Sequence, residues 1–206
     1  MKKVLITGGA GYVGSILTKQ LLKNNFQVVV VDTLWFNQET PNIFIHDPNY
    51  QFIRGDIRDT KILEKCFETQ IDFVIHTAAV VGDPASKLFP KETQEINYDA
   101  SVNLINSSIK NNVSGFIFFS TCSNYGISDN LATEQSPLNP LSLYAETKVN
   151  IETKLMESTN QLNWIIGRLS TVYGSSPRMR FDLTVNDFTL KAFKDKYIDI
   201  FLPESY

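Results

Sequence analysis

The sequence is poor in cysteine, with only Cys66 and Cys122 among 206 residues. Two thiols so far apart make neither a disulfide framework nor a zinc site, and a chain of this kind suits a reducing cytosol. Long hydrophobic runs are also missing. Stretches such as Phe73 to Val81 are interrupted well short of the roughly eighteen apolar residues that suggest a membrane span. Met1-Lys2-Lys3 before Val4-Leu5-Ile6 imitates a signal peptide, but Thr7-Gly8-Gly9 breaks it after three apolar residues, so no membrane attachment is expected. Positive charge is not in excess either. Nineteen Lys plus Arg against twenty-two Asp plus Glu give a net charge of -3 without a basic cluster, which argues against a nucleic acid polymer as partner. No internal repeat, linker or low-complexity tract divides residues 1–170, and 43% hydrophobic content is enough for a sizeable core.

At about 150 residues per domain, the length corresponds to one large domain and a fraction of another. Apolar runs recur at Val4 to Thr7, Gln27 to Val31, Gln51 to Arg54, Phe73 to His76, Gly115 to Ser120 and Asn163 to Arg168. They are continuous rather than alternating, as in parallel strands buried on both faces. Between them Gly11 to Lys23, Lys61 to Glu68, Thr93 to Lys110 and Leu143 to Ser158 carry apolar residues at helical spacing. The alternation predicts an α/β fold, a doubly wound parallel sheet of the Rossmann type over residues 1–170. After Tyr173-Gly174 the pattern changes: a polar stretch, a helix over Phe181 to Phe193 and a strand-like run at Tyr197 to Leu202 predict the start of a smaller C-terminal lobe over 171–206.

The first strand runs into Gly8-Gly9-Ala10-Gly11-Tyr12-Val13-Gly14, which contains G-x-G-x-x-G read from Gly9, and Asp32 ends the next strand 18 residues after Gly14. Glycine alone marks only a turn. Between a strand and a helix, with an acidic residue closing the following strand, the pattern fits a dinucleotide site. Gly8 and Gly11 let the backbone approach a pyrophosphate, whose charge is met by the free amides that open the helix at Tyr12 and Val13. The Asp32 carboxylate can accept from both ribose hydroxyls and would repel a 2′-phosphate, so the expected cofactor is NAD rather than NADP. Gly55 to Asp59 and His76-Thr77-Ala78-Ala79 follow the third and fourth strands, at the sheet end where such folds bind ligands, and Ala78 and Ala79 leave room beside the sheet. Asp56 or Asp59 also reads as a helix cap, and His76 reads better as a satisfied core histidine.

Tyr144 and Lys148 stand four residues apart and share a helix face. A phenol with its ordinary pKa near 10 is too weak a base at neutral pH; the Lys148 charge, with a positive nicotinamide, would favour phenolate. Ser120-Thr121-Cys122-Ser123 follows the fifth strand, and Thr121 could bond the reacting oxygen and complete a Thr121, Tyr144, Lys148 constellation. Ser123 presents a further hydroxyl to the same substrate.

These residues resemble the extended short-chain dehydrogenase/reductases, within them the NAD-dependent epimerase/dehydratase group that acts on nucleotide sugars. The match runs along nearly the whole chain: Thr7 to Gly14, Asp56-Ile57, His76 to Ala79, Asn97, Ser120-Thr121, Tyr125-Gly126, Tyr144 with Lys148, and Arg168 with Tyr173-Gly174. The resemblance implies that Tyr144 is the acid/base, that Lys148 holds the nicotinamide ribose, that Thr121 assists, that Asp56 and Ile57 lie beside adenine, and that Asn97 supports the cofactor side of the site. It makes Ser176 to Leu183 and Asn186 the entry to a substrate lobe, where Arg178, Arg180 or Asn186 would meet a nucleotide diphosphate; Arg178 and Arg180 read equally as ordinary surface arginines. Asp83, in the loop Val81 to Ala85, is placed to touch sugar hydroxyls, although a simple turn is its better reading. Where 4,6-dehydratases of the group carry Asp-Glu, this chain has Cys122-Ser123, which removes the proton donors for dehydration; Cys122 reads as a small buried residue. No metal is expected.

The reading implied is an NAD-dependent nucleotide-sugar epimerase similar to UDP-glucose 4-epimerases, with a 4-reductase, dehydrogenase or 4,6-dehydratase of the same group as the alternative and a non-catalytic NAD-binding regulator as the alternative of another class. A homodimer through the helices at Thr93 to Lys110 and Leu143 to Ser158 follows from the resemblance only. Because the lobe after residue 170 is short beside those of the group, a C-terminally truncated enzyme is expected.

Overall fold

The computed structural model describes residues 1–127 and 131–200. Among them β1 (Lys3–Thr7), β2 (Gln27–Asp32), β3 (Tyr50–Arg54), β4 (Phe73–His76), β5 (Gly115–Thr121) and β6 (Trp164–Leu169) form one parallel sheet in the order β3-β2-β1-β4-β5-β6. The crossovers carry α1 (Tyr12–Lys23), α2 (Thr60–Cys66), α3 (Asp83–Leu88), α4 (Pro90–Gln94), α5 (Ala100–Lys110) and α6 (Leu143–Glu157), and α7 (Thr184–Lys194) follows β6. The strand order reverses between β1 and β4, where Thr7 pairs with His76, and a ligand crevice opens at such a point.

Successive strand residues face opposite sides. One side buries Leu5, Val29, Val31, Val74, Phe116 and Phe118 with Leu104 and Ile105 of α5 and Ile151 and Leu155 of α6. The other buries Val4, Ile6, Val28, Val30 and Ile75 with Leu22 of α1. Each fully buried side chain of this size contributes about 1.5–3 kcal/mol, so helices on both faces are what the continuous apolar runs require.

Three expected elements take another form. The helix expected over Thr93 to Lys110 is interrupted by a wider π turn at Glu95–Asp99 between α4 and α5. The wide turn carries Asn97, whose amide bonds the Val80 backbone twice, a long-range contact that helical spacing cannot reveal. The loop Val81 to Ala85 instead opens α3: Gly82 takes a φ of 90°, open to glycine at little cost, and Pro84 lies in the first turn. The apolar run at Tyr197 to Leu202 forms no strand through Ile200, and its end lies outside the described residues; a strand exists only with a neighbour to bond.

Candidate active site

The turn after β1 lies flush against the end of β4. Gly8 has a φ of 72°, and a Cβ there would stand 2.6 Å from the Ala78 amide nitrogen. A Cβ on Gly14 would collide with the Gly8 carbonyl oxygen, so glycine brings α1 against the turn. Gly11 precedes α1 in extended conformation and no side chain caps the helix. The first-turn amides of Tyr12, Val13 and Gly14 therefore face the crevice with the positive end of the helix dipole, a site for an anionic group. This cradle, too close for any side chain at Gly8 or Gly14, fits a dinucleotide pyrophosphate.

Asp32 stands at the end of β2. Its carboxylate accepts from the Ala10 amide at 3.1 Å and the Leu34 amide at 2.9 Å. Burial raises its pKa against these two bonds; Oδ1 also takes a long contact from Gln38 Nε2 at 3.4 Å, and Oδ2, with Ala10 alone, keeps a lone pair for a ribose hydroxyl. Ala78 and Ala79 are half-buried just after β4, with the Ala78 backbone against Gly8. Asp56 is engaged by Arg58, whose guanidinium donates at 2.7 Å and whose amide donates at 2.9 Å. Burial pushes the Asp56 carboxyl up, but these bonds more than compensate and hold it below its ordinary value. The cap of α2 is Asp59, which accepts from the Lys61 amide, and Ile57 packs into the core, leaving its backbone for any adenine contact.

Thr121, Tyr144 and Lys148 come together at the end of β5 and the start of α6. Tyr144 is 9% exposed and Lys148 4% exposed. The Thr121 hydroxyl accepts from the Ser123 amide at 3.1 Å and acts to lower the pKa of the Tyr144 phenol. Lys148 Nζ donates to the Phe119 carbonyl at 2.9 Å and lies 6.0 Å from the centre of the Tyr144 ring. The expectation that Lys148 lowers the phenol pKa needs correction. Burial raises it, Thr121 and Arg180 oppose the rise, and Lys148 turns its ammonium to the Phe119 carbonyl instead. Burial also pulls Lys148 itself down to about 8, partly offset by the Glu152 carboxylate.

His76 serves the core. Its Nδ1 meets Thr7 Oγ1 at 2.6 Å and its Nε2 meets Ser101 Oγ at 2.7 Å, and burial, helped by the Lys148 charge, depresses its pKa to about 3. Asn97 clamps Val80 just beyond Ala79: its Oδ1 accepts from the Val80 amide at 2.8 Å and its Nδ2 donates to the Val80 carbonyl at 2.9 Å.

A buried polar cluster behind the constellation was not read from the sequence. Glu152, 1% exposed, accepts from Ser120 Oγ at 2.5 Å, Asn124 Nδ2 at 2.8 Å and the Arg168 guanidinium at 2.6 Å. Arg168 also donates to the Tyr125 phenol at 2.9 Å. The available signal was a carboxylate one helical turn beyond Lys148, on a face otherwise committed to the core.

On the expected substrate side the residues scatter. Asp83 is exposed and accepts from Ser142 Oγ at 2.6 Å, which ties α3 to the N-cap of α6. Ser123 is exposed, and so is Cys122, contrary to the buried position expected, because the helical turn at Cys122–Tyr125 swings it outward. Asn186 is not free for a substrate. Its Oδ1 accepts from the Gly174 amide at 2.9 Å, and its Nδ2 donates to the Arg180 carbonyl at 2.9 Å and to the Tyr12 phenol at 3.0 Å. Tyr12 in turn donates to the Gly174 carbonyl at 2.6 Å, so its side chain anchors the segment after β6 while its backbone faces the crevice. Arg180 pairs with Asp182 at 2.5 Å and influences Tyr144. Arg178 lies elsewhere, with its guanidinium carbon 4.3 Å from the centre of the Phe36 ring and its charge felt at Asp32. A cavity of about 280 Å³ lined by Leu34, Gln38, Pro41, Ile45, Phe52 and Arg54 contains none of the Thr121, Tyr144, Lys148 set. Among the described residues no cluster of metal ligands occurs, and no helix is long and apolar enough to cross a membrane.

The sequence profile of the NAD dependent epimerase/dehydratase family matches residues 4–197, nearly the whole chain. The chain belongs to this family. Among its relatives in the family, a UDP-glucose 4-epimerase of Lactobacillus helveticus is 37% identical over 152 residues, which are 73% of this chain and 45% of that protein. A UDP-glucose 4-epimerase of Thermotoga maritima, solved with UDP-glucose, superposes with a TM-score of 0.88 at 28% identity over 99% of this chain and 67% of that one. A UDP-glucose 4-epimerase of Thermus thermophilus, solved with NAD, gives a TM-score of 0.80 at 28% identity over 92% of this chain and 61% of that one. The chain spans about half the length of the curated relatives it matches.

Proposed function

We propose that the protein is an NAD-dependent nucleotide-sugar epimerase of the UDP-glucose 4-epimerase kind. The observation that carries the reading is the convergence of Tyr144, the Thr121 hydroxyl and buried Lys148 at the end of β5, on the same sheet end as the glycine cradle. The cradle at Gly8, Gly11, Tyr12 and Val13 would hold the pyrophosphate, Asp32 the adenosine ribose, and the unused N–H groups of Lys148 the other ribose. Residues after 170 would form the first part of the wall around the sugar.

NAD, when bound, would take up and return a hydride and in its oxidised form would add a positive charge to that of Arg180 near the Tyr144 phenol. Tyr144 Oη then exchanges a proton with the sugar hydroxyl at the reacting carbon, and Thr121 orients that hydroxyl. Asn97 holds the Val80 backbone and with it the loop after β4 that borders the crevice. Cys122 and Ser123, exposed beside Thr121, supply no carboxyl acid for removing water, which favours epimerisation over 4,6-dehydration.

Incubation of the purified protein with UDP-galactose and catalytic NAD tests the proposal. UDP-glucose is expected without added reductant. Conversion that needs stoichiometric reduced cofactor would assign a reductase instead, and unchanged turnover in Tyr144→Phe would remove the acid/base role.

A further inference from the structure

The segment after β6 is fastened to the helix that opens the cradle. Ser176 Oγ donates to the Tyr12 carbonyl at 2.7 Å and meets Ser15 Oγ at 3.1 Å, and Tyr12 and Asn186 bond one another and Gly174. The Arg178 amide donates to Ser176 Oγ at 3.3 Å, so Arg178 leaves this anchor two residues from the first turn of α1. Its guanidinium then lies over the Phe36 ring at 4.3 Å, beyond the end of β2.

The two arginines of the segment differ in what they can offer. Arg180 is bidentate on Asp182, at 3.2 and 2.5 Å, and that carboxylate answers its charge. Arg178 forms no ion pair among the described residues. A cation–π contact fixes a guanidinium plane while leaving its edge donors available. The Arg178 charge and the Asp32 carboxylate act weakly on one another.

Two landmarks locate what this edge can meet. The amides of Tyr12 to Gly14 mark the place of a pyrophosphate, and Asp32 marks that of the adenosine ribose. Arg178 is tethered to the first through Ser176, and its guanidinium rests on Phe36, in the loop that follows Asp32. On the reading that the crevice holds NAD, we infer that Arg178 is a cofactor residue, bonding the adenosine-side phosphate of the dinucleotide from the segment after β6, rather than a ligand of the substrate diphosphate. The segment Gly174 to Arg180 thereby straps the cofactor, with Phe36 as the rest on which Arg178 lies.

The test is calorimetric titration of the wild-type protein, Arg178→Ala and Arg178→Lys with NAD, ADP-ribose and UDP, at low and high salt. Loss of a charge-assisted phosphate bond is expected to weaken NAD and ADP-ribose by about ten- to a hundredfold in Arg178→Ala, with Arg178→Lys between and a shallower salt dependence. UDP binding is expected to be unchanged, and the melting temperature without ligand should fall only slightly, since Arg178 holds no ion pair and loses only its contact with Phe36. Wild-type protein that binds NAD while Arg178→Ala binds it equally well would overturn the inference and leave the functional reading standing. Weakened UDP binding with NAD unaffected would return Arg178 to the substrate. Wild-type protein that binds neither NAD nor ADP-ribose would overturn both.

Discussion

The buried carboxylate of Glu152 offers the sharpest test of how the site is held. It is 1% exposed and takes donors from Ser120, Asn124 and Arg168, which lie on β5, the turn after it and β6. Glu152→Gln keeps the volume but turns one acceptor into a donor that faces donors, and it leaves Arg168, whose side chain is 14% exposed, without its counter-ion. Removing one partner of a buried pair costs about 3–5 kcal/mol, because the other charge stays desolvated. Partial exposure of Arg168 argues for the lower end. Against a total stability of about 5–15 kcal/mol the loss is large. With a urea dependence of about 2–3 kcal/mol per molar, the unfolding midpoint should fall by about 1–2 M. The double variant Glu152→Met with Arg168→Met, which removes both charges, should recover most of that loss. Glu152 also supports the charge of Lys148, so in Glu152→Gln the Lys148 pKa, already near 8, should drop further, as read by NMR titration of the lysine side chain. A midpoint within about 0.3 M of wild type, well short of that fall, would refute the view that this cluster holds β5, α6 and β6 together.

Other perturbations follow from the same geometry. Gly14→Ala sets a methyl group against the Gly8 carbonyl and should abolish NAD binding while lowering stability by about 1–3 kcal/mol, measured by calorimetry and by melting. On the proposed mechanism Tyr144→Phe should lower epimerase turnover about 10²- to 10⁴-fold with NAD affinity little changed, since the phenol would move the proton and does not form the cradle. Asp32→Asn should narrow the preference for NAD over NADP, seen as a fall in the ratio of the NADP dissociation constant to that of NAD. His76 has a folded pKa near 3 against 6.5 for a free histidine, so the unfolded chain binds its proton first. Its contribution to stability is therefore complete above about pH 6.5 and is lost as the pH falls toward 3, and the acid loss of the urea midpoint should be smaller in His76→Gln.

Local chemistry left a clear trace in the sequence wherever a signal lies within one turn or one strand. Phe73 to His76 is β4 to the residue, and Gln27, Gly115 and Leu143 start their elements as expected. The glycines of the turn after β1, Asp32, and the Tyr144 to Lys148 spacing likewise carry their geometry in a few neighbouring residues. Features that depend on distant partners left no such trace. Asn97 interrupts its helix for the sake of Val80, Glu152 is charged because Arg168 and Ser120 surround it, and Asn186 is used up by Tyr12 and Gly174. Arg178 and Arg180 look alike in sequence, yet one pairs with Asp182 and the other rests on Phe36 beside Asp32. The pKa values divide in the same way, since they follow burial and neighbours in space. Spacing placed Lys148 near Tyr144, but only the packed structure turned its ammonium to the Phe119 carbonyl and left the phenol protonated. The sequence alone thus determined the sheet, the glycine cradle and the shared helix face of Tyr144 and Lys148, because periodicity and backbone sterics act locally. Tertiary structure decided which charged and polar groups remain free to act, because desolvation and pairing exist only once distant segments meet.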